Sequence, residues 1–283
     1  MKVRIVVDSV ADVTEEIRER LTVVPLSISF GDEQYIDGVT LTKEQFYEKM
    51  ASSSVLPTTS QPAPEAFSQV YETAKKAGES LVVLAVSSKL SGTYQSAMIA
   101  AQDYAENVYV VDTHHVALGE GVLAEYALRL ADSGMSAREI ADRIEQEKDN
   151  VCLFALVDTL EYLQRGGRIS KAVAFAGGLL SIKPLIGVRD GALEIAGKAR
   201  GTKQGNALLN REIEALGGVD FDKPMLVGYT GTSDTLLKKY LADSKDTWHH
   251  SDVHTTLLSG IVGTHAGPDA VVVSFFKARR KKD

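Results

Sequence analysis

Cysteine is almost missing from this chain: Cys152 is the one thiol in 283 residues. An internal disulfide and a thiolate zinc cluster are both excluded, and a reducing cytoplasm is the expected setting. Long apolar runs are also missing. The longest, such as residues 81–86, fall far short of the roughly 20 residues that a membrane-crossing helix needs. The amino-terminal residues enter a strand pattern at once, Val3-Arg4-Ile5-Val6-Val7, without the apolar core and cleavage site of a signal peptide, which argues against secretion. Positive charge is in deficit, with 31 Lys and Arg against 38 Asp and Glu and a net charge of −7. A general nucleic-acid binder, which would present a basic face, is therefore disfavoured. The local exception, Ala278-Arg279-Arg280-Lys281-Lys282, reads as a solvated chain end. Repeats and low-complexity segments are absent.

What is there is an ordinary globular composition, 44% hydrophobic and 24% charged. The length exceeds one hydrophobic core, so two α/β domains are expected, residues 1–150 and 151–283. In the first, strands at 3–7, 23–30, 81–86 and 108–111 alternate with helices, implying a mainly parallel sheet with right-handed crossovers. Thr14 is placed to cap a helix over residues 15–21, Thr42-Lys43-Glu44-Gln45 and Ser136-Ala137-Arg138-Glu139 are capping boxes, and Pro64 suits a first helical turn. The second is richer in glycine, with Gly166-Gly167, Gly177-Gly178 and Gly217-Gly218. Strands at 151–157, 225–229 and 271–275 and helices at 202–216 and 234–241 are expected there, and residues 182–188 and 192–199 can pair across the Asp190-Gly191 turn.

Several patterns imitate chemistry. Gly119-Glu120-Gly121-Val122-Leu123-Ala124 has the spacing of a dinucleotide fingerprint, but it starts eight positions after Val111, whereas a pyrophosphate loop follows its strand directly. Between Gly191 and Gly197-Lys198 the spacer is one residue too long for a phosphate loop, and Ala199 offers no hydroxyl for magnesium. His114-His115 and His249-His250 are adjacent pairs, which point apart and make poor metal sites. No G-x-S-x-G elbow is present.

Hydroxyl groups concentrate at two junctions read as loop-to-helix. One is Thr58-Thr59-Ser60-Gln61-Pro62; the other is Ser87-Ser88-Lys89-Leu90-Ser91-Gly92-Thr93, at the carboxyl end of a parallel strand, where open α/β sheets place ligands. Gly92 would let backbone approach a ligand closely, and free N–H groups at a helix start suit a phosphate or carboxylate. The plainer reading is that these hydroxyls only cap helices.

The order of the motifs resembles that of the DegV family. Asp8-Ser9, Val24-Pro25-Leu26, Tyr35-Ile36-Asp37-Gly38, the Thr58–Pro62 run and Leu90-Ser91-Gly92-Thr93-Tyr94-Gln95-Ser96-Ala97 are similar to its amino-terminal blocks. Leu160-Glu161-Tyr162-Leu163-Gln164-Arg165-Gly166-Gly167-Arg168-Ile169-Ser170 resembles its central element, followed by Ile182-Lys183-Pro184, Gly191 and Lys198-Ala199-Arg200. Gly263-Thr264-His265-Ala266-Gly267-Pro268 matches the final block, which usually continues with glycine where this chain has Asp269.

The resemblance implies an α/β protein of DegV-like two-domain architecture: a three-layer N-terminal domain with a mainly parallel sheet and a smaller C-terminal α/β domain that completes a lipid tunnel. It implies one bound fatty acid such as palmitate, stearate or oleate, its carboxylate held by Thr59 and Ser91 with Ser60, Gly92, Thr93 and His265 nearby. It also implies a carrier without cofactor or metal that hands the acid to a fatty-acid kinase, which makes the acyl phosphate that feeds phospholipid synthesis, with Arg200 at the docking surface. Gly166-Gly167-Arg168 is expected to be structural, with Arg168 tying loops together. A monomer is expected, with no nucleic-acid partner and no stable membrane insertion. The competing readings are a serine-dependent acyl hydrolase using Ser91 and His265, a lipid sensor with no kinase, and a kinase-subunit role, since the family fold is similar to one domain of dihydroxyacetone kinases. For the hydrolase no acid is visible to orient His265, and for the kinase no nucleotide loop exists.

Overall fold

The opening apolar run becomes β1 (Val3–Asp8), an inner strand of a parallel sheet covered on both faces. The computed structural model describes residues 2–169, 181–249 and 253–278; Ser170, Gly177, Gly178, His250 and the basic tail 279–282 lie outside the described residues. After β1 come α1 (Glu15–Arg18), β2 (Thr22–Val24), β3 (Ser27–Phe30), β4 (Glu33–Ile36), α2 (Lys43–Ser52), β5 (Thr58–Ser60) and α3 (Pro64–Ala77). There follow β6 (Ser80–Ala85), α4 (Thr93–Ala101), β7 (Val108–Asp112), α5 (Leu118–Asp132), α6 (Ala137–Glu147), β8 (Val151–Leu156) and α7 (Glu161–Arg165). The chain ends through β9 (Ile182–Arg189), β10 (Ala192–Arg200), α8 (Gly201–Ala215), β11 (Met225–Tyr229), α9 (Thr235–Asp243), β12 (Thr255–Leu257), α10 (Gly260–Ala266) and β13 (Val271–Phe276).

The described residues form three sheets. One is all parallel in the order β2-β1-β6-β7, as the strand–helix alternation predicts; another is a small antiparallel sheet, β4-β3-β5. The largest has the order β10-β9-β8-β13-β11-β12 and is antiparallel except for its β11–β12 pair. Helix α5 packs against β1 and β6 on one side and β8, β11 and β13 on the other, so it is a layer shared by the parallel sheet and the large sheet. α3 and α4 cover the other face of the parallel sheet, and α8 and α9 cover the outer face of the large one. The apolar core around α5 therefore draws residues from both halves, from Ile5 and Leu84 to Leu153 and Val272.

Both capping boxes form, at Thr42 with Gln45 and at Ser136 with Glu139. The hairpin over Asp190-Gly191 forms with left-handed φ values of 48° and 79°, the pair that a tight primed turn requires. Three expectations need correction. The strand expected over residues 23–30 is split between two sheets, β2 and β3, with Pro25 at the break because it has no N–H for a ladder. The first helix stops at Arg18, and Thr14 stands at its N-cap position without a side-chain cap bond. Residues 58–60 are not a loop but the strand β5, held by β3 with Thr59 opposite Ile28. No helix among the described residues is long and apolar enough to cross a membrane.

Candidate functional site

The period of two along β8 sets Leu153, Ala155 and Val157 on one face, and they line a cavity; Phe154 and Leu156, on the other face, belong to the outer core. Facing them are Val10 and Val86, just past the carboxyl ends of β1 and β6, and Val116 with Ala117 before α5. Helix α10 makes a side wall: Ile261, Val262, His265 and Ala266 turn to the cavity, while Gly260 and Gly263 turn to α2. Those two glycines are required there, since a Cβ at Gly260 would meet Ile28 at 2.6 Å and one at Gly263 would meet the Tyr47 hydroxyl at 2.6 Å. The cavity is narrow, with about 90 Å³ open to the centres of water molecules. Among the described residues its lining is apolar except for Thr59, Ser91, Arg168 and His265.

These polar groups form two short chains. His265 Nε2 lies 2.9 Å from Thr59 Oγ1. Ser91 Oγ lies 2.9 Å from Thr93 Oγ1 and accepts a hydrogen bond from the Thr93 backbone N–H at 3.3 Å. Burial, with a smaller contribution from the Arg168 cation, pushes the His265 imidazole down to about 4, so it is neutral at pH 7. Its Nδ1 is buried and lacks a hydrogen-bond partner among the described residues. An orphaned N–H is costlier than an orphaned lone pair, so the network assigns the proton to Nε2, which then donates to Thr59 Oγ1. Thr59 keeps its own hydroxyl hydrogen for a further acceptor. If Thr93 donates to Ser91 in the same way, Ser91 has a free O–H as well.

Of the residues that the sequence points to, Thr59, Ser91 and His265 meet on the cavity wall. Thr93 is fully buried behind Ser91 and holds it. Ser60 follows the strand alternation to the opposite face from Thr59 and is exposed. Gly92 caps α4, but the space a Cβ would take is filled by Gln61, 2.1 Å away, not left for a ligand; Gln61 bonds Gly92 O and Ser96 Oγ. Arg200 is exposed at the end of β10, remote in role from the lining. Ser91 is bonded to Thr93 and His265 to Thr59, so no Ser–His pair forms, and no carboxylate among the described residues bonds His265. That arrangement does not have the parts of a triad.

Arg168, expected to tie loops together, donates to Leu90 O at 3.1 Å and to Gly166 O at 2.6 Å. It also lines the cavity with His265, so among the described residues it brings a cation to the polar group. Its signal was a lone arginine inside a Gly-Gly turn, which reads equally well as a solvated charge. The Gly119-Glu120-Gly121 pattern has a packing explanation: Gly119 lies against His115, and a Cβ at Gly121 would meet the Asp12 carbonyl at 2.0 Å. His114 is part-exposed near Asp112 and Asp149, and His115 is buried with Nε2 3.0 Å from Lys148 O.

The fold and cavity together define an α/β protein with an apolar slot between its sheets, bearing a small group of polar side chains. The chain belongs to the DegV family: the family model described as "Uncharacterised protein, DegV family" matches residues 2–278. A DegV domain-containing protein of Deinococcus radiodurans is 37% identical over 281 residues, covering 97% of this chain and 98% of that one. Among solved structures, one described as fatty acid binding of a DegV family protein from Thermus thermophilus has a TM-score of 0.86 at 30% identity, covering 98% of this chain and all of that one. A DegV lipid binding protein from Thermotoga maritima has a TM-score of 0.85 at 27% identity, covering 99% and 100%.

Proposed function

We propose that this chain binds one long-chain fatty acid, with the carboxylate at Thr59 and Ser91 and the tail in the apolar slot. The observation that carries this reading is the meeting of Thr59, Ser91, Arg168 and His265 on a cavity otherwise lined by apolar side chains. A matching ligand is apolar along its length and anionic at one end. The Thermus and Thermotoga relatives, described as binding fatty acid and lipid, support the same class. The Thr59 and Ser91 hydroxyls donate to the carboxylate, His265 and Thr93 orient them, and the Arg168 cation offsets the charge. Burying about fourteen methylenes at ~0.8 kcal/mol each gives roughly 11 kcal/mol of gross transfer energy, much of it offset by association and chain ordering. The tail thus supplies affinity and the head supplies orientation.

In this reading residues 1–150 carry the hydroxyl groups, residues 151–283 complete the tunnel, and the chain is a carrier. Arg200, exposed at the end of the strand whose Leu193 lines the cavity, is the docking contact for a fatty-acid kinase that phosphorylates the presented carboxylate. The test is the mass of the small molecule extracted from denatured protein, together with thermal melts in added palmitate and oleate. A long-chain fatty acid near one per chain, or a raised melting temperature, is expected. No extracted acid in several preparations together with unmoved melts overturns the reading.

A further inference from the structure

Four consecutive residues before α10 are each bonded to the first half of the chain. Thr256 Oγ1 donates to Val13 O at 3.1 Å, Lys43 Nζ to Leu257 O at 2.7 Å, Tyr47 Oη to Leu258 O at 3.2 Å, and Ser259 N to Asp12 Oδ1 at 2.8 Å. Ser259 Oγ adds a bond to Asp12 Oδ2 at 3.3 Å, and Lys43 Nζ closes the loop on Asp12 Oδ1 at 3.1 Å. Asp12 is 1% exposed and Lys43 17%, so this is a largely buried ion pair. Such a pair is a poor source of stability, because an apolar pair of the same volume would do as well or better. What an apolar pair cannot do is fix one register, and this one stands at the start of the short helix that carries His265 to the cavity.

We infer that Asp12 and Lys43 are positioning residues for the carboxylate site, setting through Leu257 and Ser259 where α10 starts and so where His265 meets Thr59. The inference rests on the fatty-acid reading above. α10 has seven residues, and its two glycines lie flat against Phe46 and Tyr47 without side chains of their own to key it in place. Ile261 packs with Ile28, Phe46 and Tyr47, a contact without direction, so the directed bonds at the helix start set its axial position. A slide of about one residue rise, ~1.5 Å, would break the 2.9 Å contact between His265 and Thr59. Asp12 and Lys43 touch none of the cavity, so their influence on a ligand runs through the helix.

The experiment is a double-mutant cycle of Lys43→Met with His265→Ala, read by palmitate affinity and by NMR titration of the His265 imidazole. Each single variant is expected to bind palmitate roughly tenfold more weakly, and the double variant no more weakly than His265→Ala alone. In Lys43→Met the imidazole should titrate closer to its ordinary 6.5, as the ring leaves its buried seat. A merely structural role would lower the melting temperature and leave both readouts unmoved. Parental affinity in Lys43→Met, or additive losses in the double variant, overturns the inference. If Lys43→Met does not fold, Asp12→Asn with Lys43→Met leaves no unpaired charge and carries the same readouts. If the parent binds no palmitate, the fatty-acid reading fails, and the imidazole titration, which needs no ligand, still decides the latch.

Discussion

Glu120 is fully buried in α5, and no cation faces its carboxyl among the causes that shift it; the Asp8 backbone offers its one hydrogen bond among the described residues. Burial, and then the neighbouring Asp8 and Asp12, hold its carboxyl well above the ordinary 4.5, so the folded protein keeps it protonated. In the unfolded chain it ionises normally. The folded state then binds the extra proton, so this contribution to stability is fully present below pH 4.5 and is lost as the pH rises towards the folded value. Glu120→Gln keeps the shape and removes the titration. For as long as the folded carboxyl stays protonated, the variant should gain on the parent by roughly 1 kcal/mol for each pH unit above the ordinary carboxylate range. Urea unfolding of both proteins at pH 5, 6, 7 and 8 measures the gap directly, since contributions from other groups largely cancel. A gap that is flat with pH, or that closes as pH rises, refutes the reasoning.

The carboxylate site is tested by Thr59→Val with Ser91→Ala, which should weaken palmitate retention by about 1.5–3 kcal/mol per lost charge-assisted bond while the fold survives; equal affinity in a displacement titration would move the carboxylate elsewhere. Gly166→Ala would bring a Cβ to 2.2 Å from His265 Nδ1, so the ring must leave Thr59. Weaker palmitate binding with a melting temperature shifted by only a few degrees is expected, and unchanged binding would remove His265 from the site. Arg200→Ala should bind palmitate as the parent does but slow acyl-phosphate formation with a kinase from the same source by about 1–3 kcal/mol; unchanged turnover at matched occupancy takes Arg200 off the docking surface.

Much of the fold was legible because local chemistry determined it. The capping boxes at Thr42 and Ser136, the apolar runs of β1 and β6 and the Asp190-Gly191 turn each carry their own physical reason within four to eight residues. The failures are non-local. β5 is three polar residues that are a strand only because β3 supplies the ladder, and α10 has two glycines that lower its propensity and are needed only because Phe46 and Tyr47 lie against them. Asp269 departs from the glycine usual in the final motif, and its φ of 61° shows why glycine suits the position; aspartate tolerates the left-handed region better than most residues.

The site divides along the same line. A hydroxyl in a motif marks a candidate, but whether it faces the cavity is decided by the strand or helix beneath it. Thr59 and Ser60 are adjacent and alike, yet one residue of β5 separates a cavity wall from solvent. Leu153 and Phe154 differ as little in character, and the slot runs along one of them while solid core packs on the other. Period two tells the faces apart without telling which face is left unfilled, because the empty space is set by what the opposing layer omits. Here the omission falls beside α10, whose Ile261, Val262 and His265 line the slot while its glycines lie against α2. The part proposed for Asp12 and Lys43 follows from that geometry: apolar packing of Ile261 and Val262 holds α10 down without direction, and directed bonds at its start, which these two residues provide, set where it begins.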